Sequence, residues 1–463
     1  SVGIVGGGVA GLYAAILLRR KGHRVHIFEA SNRVGGRIYT HHFSPERNQY
    51  FEAGAMRIPQ SKFQQILFDL IQYLNSYPGL PKDKHINLID YILNSEGNLL
   101  HVNGDSRDGQ DVNNVTPADI NWDVPDEYRH KTAGSLLQSV LDPLVKPLLD
   151  DFDTGFAKLL TLDDFPFRFY LKSIAQWPDS VVDFVETICS QTNQFALSVV
   201  ELVMQNIDFG TKQWFTIDRG MDRLPQAMAH IIKYNNITFG ARVTSIRPDK
   251  DQNDKIVITA NGYNGTLRAV FDKVILAIPP ASLKMLADRP LWHPQKEMAI
   301  RSMHFESLYK MGMRFKTRFW ERETPKTKGG QSTTDLPIRW IVYPSNGIDD
   351  EGPGVLLVYA WMTDSQTWLP FSPYERRSLA LYCLSLVYPD SGVYDLLIET
   401  FDVAWSTRSA TGDAMFLPGQ FIARFEPARK PEGSVYFAGE HLSRHHTWIA
   451  GALESASYTV GQI

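Results

Sequence analysis

At 463 residues, 43% hydrophobic and 21% charged, the chain has an ordinary globular balance and is too long for one simple core, so two or three lobes are expected. A formal net charge of −4, from 47 basic and 51 acidic residues, excludes a strongly basic nucleic-acid binder and argues against an anionic membrane surface. Two cysteines, Cys189 and Cys383, imply no disulfide framework, and no apolar run reaches the roughly 20 residues of a membrane span, so a soluble protein is expected, secreted or cytoplasmic.

Ser1-Val-Gly-Ile-Val5 reads as a short apolar strand that runs straight into glycines. From Gly11 to Gly22 the apolar spacing is helical (Leu12, Ala15, Ile16, Leu18), with a basic last turn and a terminal glycine. Arg24 to Phe28 alternates and ends at Glu29, which completes a βαβ unit. Within it, Gly6-Gly-Gly8-Val-Ala-Gly11 fits G-x-G-x-x-G. The first glycine makes the turn, the second lets backbone approach a pyrophosphate, and the third lets helix pack on strand. The N–H groups of Gly8, Val9 and Ala10 at the helix start suit a diphosphate. Glu29, followed by Ala30, suits the hydroxyls of an adenosine ribose and repels a 2′-phosphate.

Asn103 to Lys131 is polar and rich in Asp, Asn and Pro, and reads as a long surface excursion. Residues 132 to 206 carry helical periodicity with few β-branched runs, which predicts a helical lobe. Strand patterns return at Ile237, Ala241, Lys255 and Val274. Two loops, Arg322 to Asp335 and Ser345 to Gly354, interrupt the α+β region that follows. Leu356 to Trp361 predicts a strand with Tyr359 and Trp361 on one face. Val435 to Ala438 is a last strand and a last helix starts near Ala450. No repeat is visible, and the order of elements predicts domains interleaved along the chain.

Behind the first unit stands Gly35-Gly36-Arg37, and near the end Gly439-Glu440 precedes Trp448-Ile449-Ala450-Gly451. In that order these motifs resemble the flavin amine oxidase family, most closely its microbial and fungal L-amino acid oxidases, the L-lysine oxidase-like enzymes included. The resemblance spans essentially the whole chain. It implies an α/β and α+β protein: a Rossmann-type, GR2-like FAD-binding fold with an interleaved substrate-binding α+β domain and a helical lobe. Residues 1–58, 221–300 and 432–463 then form the FAD-binding domain; 59–116, 207–220 and 301–431 form the substrate-binding domain; 117–206 form the helical one. Gly36, Arg37, Gly439 and Glu440 fall beside the pyrophosphate and ribityl chain. The helix start at Trp448, Ile449 and Ala450 faces the flavin pyrimidine, and Val243 falls on the adenine side. Where monoamine oxidases tether flavin through a cysteine, this chain reads His445-His446-Thr447, so FAD is expected to be non-covalent.

Gly54-Ala55-Met56-Arg57 resembles the Gly-x-Met-Arg segment of L-amino acid oxidases. An arginine fork suits a carboxylate through two parallel charge-assisted bonds; the other reading pairs Arg57 with an internal acid or with FAD phosphate. The resemblance also puts Tyr359 beside the substrate carboxylate, Trp361 in the pocket wall and Trp448 in the amine-side cage. Lys310 takes the place of the lysine that holds a water at the flavin, with Arg314 as the competing residue. Ala196 falls where lysine specificity would need an acid, which points to broad or apolar substrates. The three histidines of the closing turn lack acid partners at ligand spacing, so no metal is expected. The implied reaction is hydride transfer from Cα of an L-amino acid to flavin N5. O2 then takes the electrons to give H2O2, and water converts the imino acid to a 2-oxo acid and ammonia. A homodimer is the family-based expectation. The rivals are an oxidase of simple amines, a flavin amino acid monooxygenase, and a non-catalytic escort protein on the same fold.

Overall fold

The computed structural model describes residues 1–108, 111–252, 254–406 and 411–463. Five parallel strands form one sheet, in the spatial order Ile237–Thr238, Val25–Phe28, Val2–Val5, Lys273–Leu276, Val435–Phe437. A parallel sheet is covered on both faces, so its strands read as unbroken apolar runs, and all four residues of Val2–Val5 are buried. On one face the helices Val9–Arg20, Arg223–Ile232 and Ile449–Gly461 pack as one core, in which Leu12, Leu224 and Leu453 are fully enclosed. Each such leucine contributes about 1.5–3 kcal/mol of burial. On the other face lies an antiparallel sheet, Arg242–Pro248, Ile256–Gly262 and Gly265–Phe271. Ile258 and Phe271 from it meet Val5, Phe28 and Val274.

The second large sheet has seven strands: Leu397–Ala404, Leu308–Phe315, Gly354–Trp361, Trp340–Val342, Gln331–Thr334, Leu99–Val102 and Asp105–Asp108. The antiparallel register sets Lys310 opposite Tyr359, and Tyr359 opposite Trp340. One expectation fails here. Gln331–Thr334, read from sequence as part of a loop, is a strand paired with Trp340–Val342 and with Leu99–Val102. Its buried Ser332, Thr333 and Thr334 suit a pleated surface better than their polarity suggests. The polar stretch 103–131 also holds more structure than expected, with the strand Asp105–Asp108 and three short 3-10 turns; residues 109 and 110 lie outside the described residues.

The helical lobe comprises Ala133–Asp150, Phe152–Leu159, Phe167–Ser173, Asp179–Cys189 and Val199–Asn206. Thr132 caps the first by accepting from the N–H of Ser135. Arg339, only 2% exposed, joins this lobe to the seven-stranded sheet. Its guanidinium donates to the carbonyl oxygens of Ser190 (2.6 Å) and Thr187 (3.3 Å) at the end of Asp179–Cys189, and pairs with Asp364 at 3.1 Å. A fourth, small sheet sets Trp214–Ile217 between Ile58–Pro59 and Leu88–Asp90. Among the described residues, no helix is long and apolar enough to cross a membrane.

Candidate active site

A cavity of about 1370 Å³ starts at the carboxyl ends of the parallel strands, passes the edge of the seven-stranded sheet and reaches the helical lobe. Its first part is built by the glycine turn. Gly6 stands at φ +107°, and a Cβ there would meet the carbonyl oxygen of Ala277 at 2.4 Å. Gly11 does not line the cavity. It lets the helix sit on the strand, since a Cβ would lie 2.1 Å from the oxygen of Gly6. Gly11→Val should therefore yield protein that loses its visible flavin absorbance on gel filtration, with the fold destabilised by about 1–3 kcal/mol through overpacking. Retained colour and an unchanged Tm would contradict this.

The helix Val9–Arg20 has no side-chain cap and no acid in its first turn, so its leading N–H groups are left for an anion. Gly8, Val9, Ala10 and Gly36 line the cavity there. Glu29 lines it too, its carboxylate fixed by the N–H of Gly7 (2.7 Å) and of Ser31 (2.8 Å), with Ala30 beside it. Arg37 donates to Glu440 at 2.7 Å and to the oxygen of Gly412 at 2.9 Å. Glu440 also accepts from the N–H of Ala414 and of Thr447. Burial opposes its ionisation, but the charges of Arg37 and His446 and the bond from Thr447 prevail and hold its carboxyl below the usual range. Val243, Gly439, Trp448 and Ile449 line the same space, whereas Ala450 is enclosed within its helix. Buried polar atoms without partners among the described residues gather near the closing turn: Thr411 Oγ1, His441 Nδ1, His446 Nε2 and Trp448 Nε1. Glycine turn, open N–H groups, carboxylate and unpaired polar atoms together fit a dinucleotide.

Further in, the Gly54-Ala55-Met56-Arg57 segment lines the cavity. Arg57 lies among three rings, 5.4 Å from the centre of Phe209, 5.6 Å from Trp214 and 6.0 Å from Tyr91. Its charge works against the rise that burial gives the Tyr91 phenol, and among the described residues it forms no ion pair. Lys310 donates to the carbonyl oxygens of Gly54 (2.6 Å) and Glu52 (3.3 Å), with its ammonium 4.6 Å from the centre of the Tyr359 ring. Burial pulls Lys310 down to about 7; Glu52 and Asp413 resist and Arg57 adds to the fall. Burial likewise lifts Glu52 to about 8, against bonds from Thr40 and from the N–H of Met221. Tyr359 is pushed above the ordinary phenol range, again chiefly by burial. Trp448 packs 6.0 Å from Trp214, and Trp361 donates through Nε1 to Asp413 at 3.2 Å.

The structure thus gathers Lys310, Arg57, Tyr359, Trp361 and Trp448 around one space and leaves two residues selected for the substrate side out. Arg314 is tied to Gln49 and Glu399 away from the cavity. Ala196, expected in the pocket, is exposed. The Glu186 carboxylate fixes the N–H groups of Asn193 and Phe195, and the resulting turn presents Gln194 and Phe195 to the cavity instead. The histidines also need correcting, since His445 pairs with Glu454 at 2.9 Å and His446 with the fully buried Glu201 at 2.8 Å. Among the described residues no group of three or more His, Cys, Asp or Glu is placed to hold a metal. Sequence reading missed Tyr91, Phe209 and Trp214 around Arg57, as well as Asp413. Strand pairing brings in two of them, since Trp214 lies opposite Pro59, two residues beyond Arg57, and its carbonyl accepts from the N–H of Tyr91; Phe209 comes from the turn after the helix Val199–Asn206 and packs on Trp214.

A dinucleotide cradle that shares one cavity with a cationic, ring-walled pocket defines a redox enzyme whose cofactor meets a small substrate. The family described as flavin containing amine oxidoreductase matches residues 9–463, and the chain belongs to it. It is thus an FAD enzyme, an oxidase of CH–NH2 donors. A Dictyostelium discoideum protein named as a bifunctional amine oxidase is 34% identical over 499 residues; the alignment covers 100% of this chain, which spans 46% of that protein's length. L-amino-acid oxidases of Siganus canaliculatus and Hebeloma cylindrosporum are each 29% identical over 98% of this chain, covering 83% and 80% of theirs. Among solved structures, putrescine oxidase bound to putrescine superposes with a TM-score of 0.76 at 17% identity, over 100% of this chain and 98% of that one; this likeness is one of fold.

Proposed function

We propose that the chain oxidises L-α-amino acids to 2-oxo acids and ammonia. The observation that carries this reading is Arg57, a guanidinium among Tyr91, Phe209 and Trp214 that forms no ion pair among the described residues. A substrate carboxylate would complete it through a bidentate fork. Tyr359 stands beside this pocket with its hydroxyl kept protonated, and it supports the same carboxylate as a donor. Trp448 and Trp214 wall one side of the pocket and Trp361 the strand edge, so that water is excluded and Cα is held in one orientation. FAD, when bound, would supply the hydride acceptor and the route by which two electrons reach O2 to give H2O2. The residues expected to hold it are those of the glycine turn, Glu29, Arg37 and Glu440, without a covalent tether, since the closing turn carries His445-His446-Thr447 and no cysteine. Lys310, fixed by two carbonyl oxygens, keeps its remaining bonding direction for a water.

The test is H2O2 release from the purified yellow protein, offered L-amino acids, their D-enantiomers and simple amines. Turnover of the L-amino acids alone is expected. Equal turnover of amines without a carboxylate would demote Arg57 to a structural role and overturn the reading.

A further inference from the structure

Asp413 is a carboxyl lining the cavity that the reaction as described leaves unused. Its backbone is fixed on both sides: the preceding carbonyl of Gly412 accepts from Arg37, and its own carbonyl accepts from the N–H of Glu306 at 3.0 Å. Its side chain accepts from Trp361 Nε1 at 3.2 Å and, among the described residues, makes no ion pair. Lys310 and Tyr359 each feel the charges of both Arg57 and Asp413, so these two residues lie within one field of opposite charges. Arg37, the nearby cation, is already engaged by Glu440.

A positive group and a negative group facing one small cavity match a zwitterion. The geometry points to Asp413 as the partner of the substrate's amino group: it holds the ammonium opposite Arg57 and takes its proton before the Cα–H bond breaks. In that transfer an N–H bond of the ammonium breaks and an O–H bond forms on Asp413. Both charges vanish together and the cavity's net charge is unchanged. The amine lone pair is then free to develop the C=N bond as hydride leaves Cα. Burial and the neighbouring Glu440 hold the Asp413 carboxyl well above the ordinary carboxylate range, against Trp361 and Arg37, so its ionised form needs the substrate ammonium beside it and, once it has taken the proton, keeps it.

The inference deepens the amino-acid reading above but can be separated from it with three ligands that lack a Cα–H bond to oxidise or lack the amine altogether. These are α-methyl-L-phenylalanine, α,α-dimethyl-2-phenylethylamine and 3-phenylpropanoate, titrated calorimetrically into the FAD-loaded protein and its Asp413→Asn variant. Asparagine keeps an oxygen for Trp361 and removes the charge. Affinity for the two amine-bearing ligands should fall roughly 10- to 100-fold, the range of a charged hydrogen bond, while 3-phenylpropanoate binds as before. The Asp413→Glu variant should recover part of the loss. Equal weakening of all three ligands would show that Asp413 only props Trp361, and no weakening would show that it does not meet the amine; either overturns the inference. If the unaltered protein binds the amine but neither carboxylate, the amino-acid reading fails, and the effect of Asp413→Asn on the amine still decides this one.

Discussion

Arg57→Ala should lower kcat/KM for L-amino acids by roughly 10²- to 10³-fold, as expected when one member of a buried, hydrogen-bonded charge pair is removed. Most of the loss should fall on KM, because the guanidinium meets the carboxylate in ground state and transition state alike, and only the part spent on orienting Cα should reach kcat. The fold should tolerate the change, since among the described residues Arg57 serves no internal acid and its neighbours are the rings of Tyr91, Phe209 and Trp214. Arg57→Lys should recover only part of the affinity, for an ammonium among rings restores a charge but not the planar fork. Steady-state H2O2 assays with one good substrate settle the matter. An unchanged KM in Arg57→Ala would return the residue to a structural role.

The cofactor end of this site was legible from sequence because its chemistry is local. The glycine turn, the helix start and Glu29 fall within one βαβ unit, and the structure places Gly6, Gly8, Val9, Ala10, Glu29 and Gly36 on one wall of the cavity. The two-residue period of a strand put Tyr359 and Trp361 on one face, but their place in the pocket came only from the resemblance to L-amino acid oxidases. The rest was not, because it depends on pairing between distant segments. Trp214 reaches Arg57 only through the small sheet that joins Ile58–Pro59 to Trp214–Ile217, and no local pattern announces that pairing. Asp413 sits in a stretch of Gly, Asp and Ala without periodicity, and Arg37 and Trp361, its neighbours, come from other parts of the chain. Ala196 went astray for the opposite reason. A short turn set by Glu186 decides which of Gln194, Phe195 and Ala196 faces inward, and a one-residue rotation is invisible to sequence spacing.

Lys310→Met should lower kcat/KM by about 10²- to 10⁴-fold, the usual range for removing a positioned proton-transfer group, and should also erase a limb of the pH profile. The sign follows from two groups in one buried field. Lys310 titrates near 7 and Glu52 near 8, both displaced chiefly by burial. Below about 7 the pair carries one positive charge, between the two values none, and above about 8 one negative charge. Only neutral Lys310 has a lone pair with which to accept a bond or a proton from water, so kcat/KM of the unaltered enzyme should rise with pH up to about 7 and then level. Methionine fills a similar volume without a titrating group, so that rise should vanish in Lys310→Met. Because interacting groups share their titrations, the assignment needs a second variant. Because Glu52 is largely protonated where Lys310 titrates, Glu52→Gln removes little charge there, so the limb should survive and shift only slightly to lower pH. A limb that stays in Lys310→Met and disappears in Glu52→Gln would transfer the role to Glu52. A limb unmoved in both would place the titrating group outside this pair.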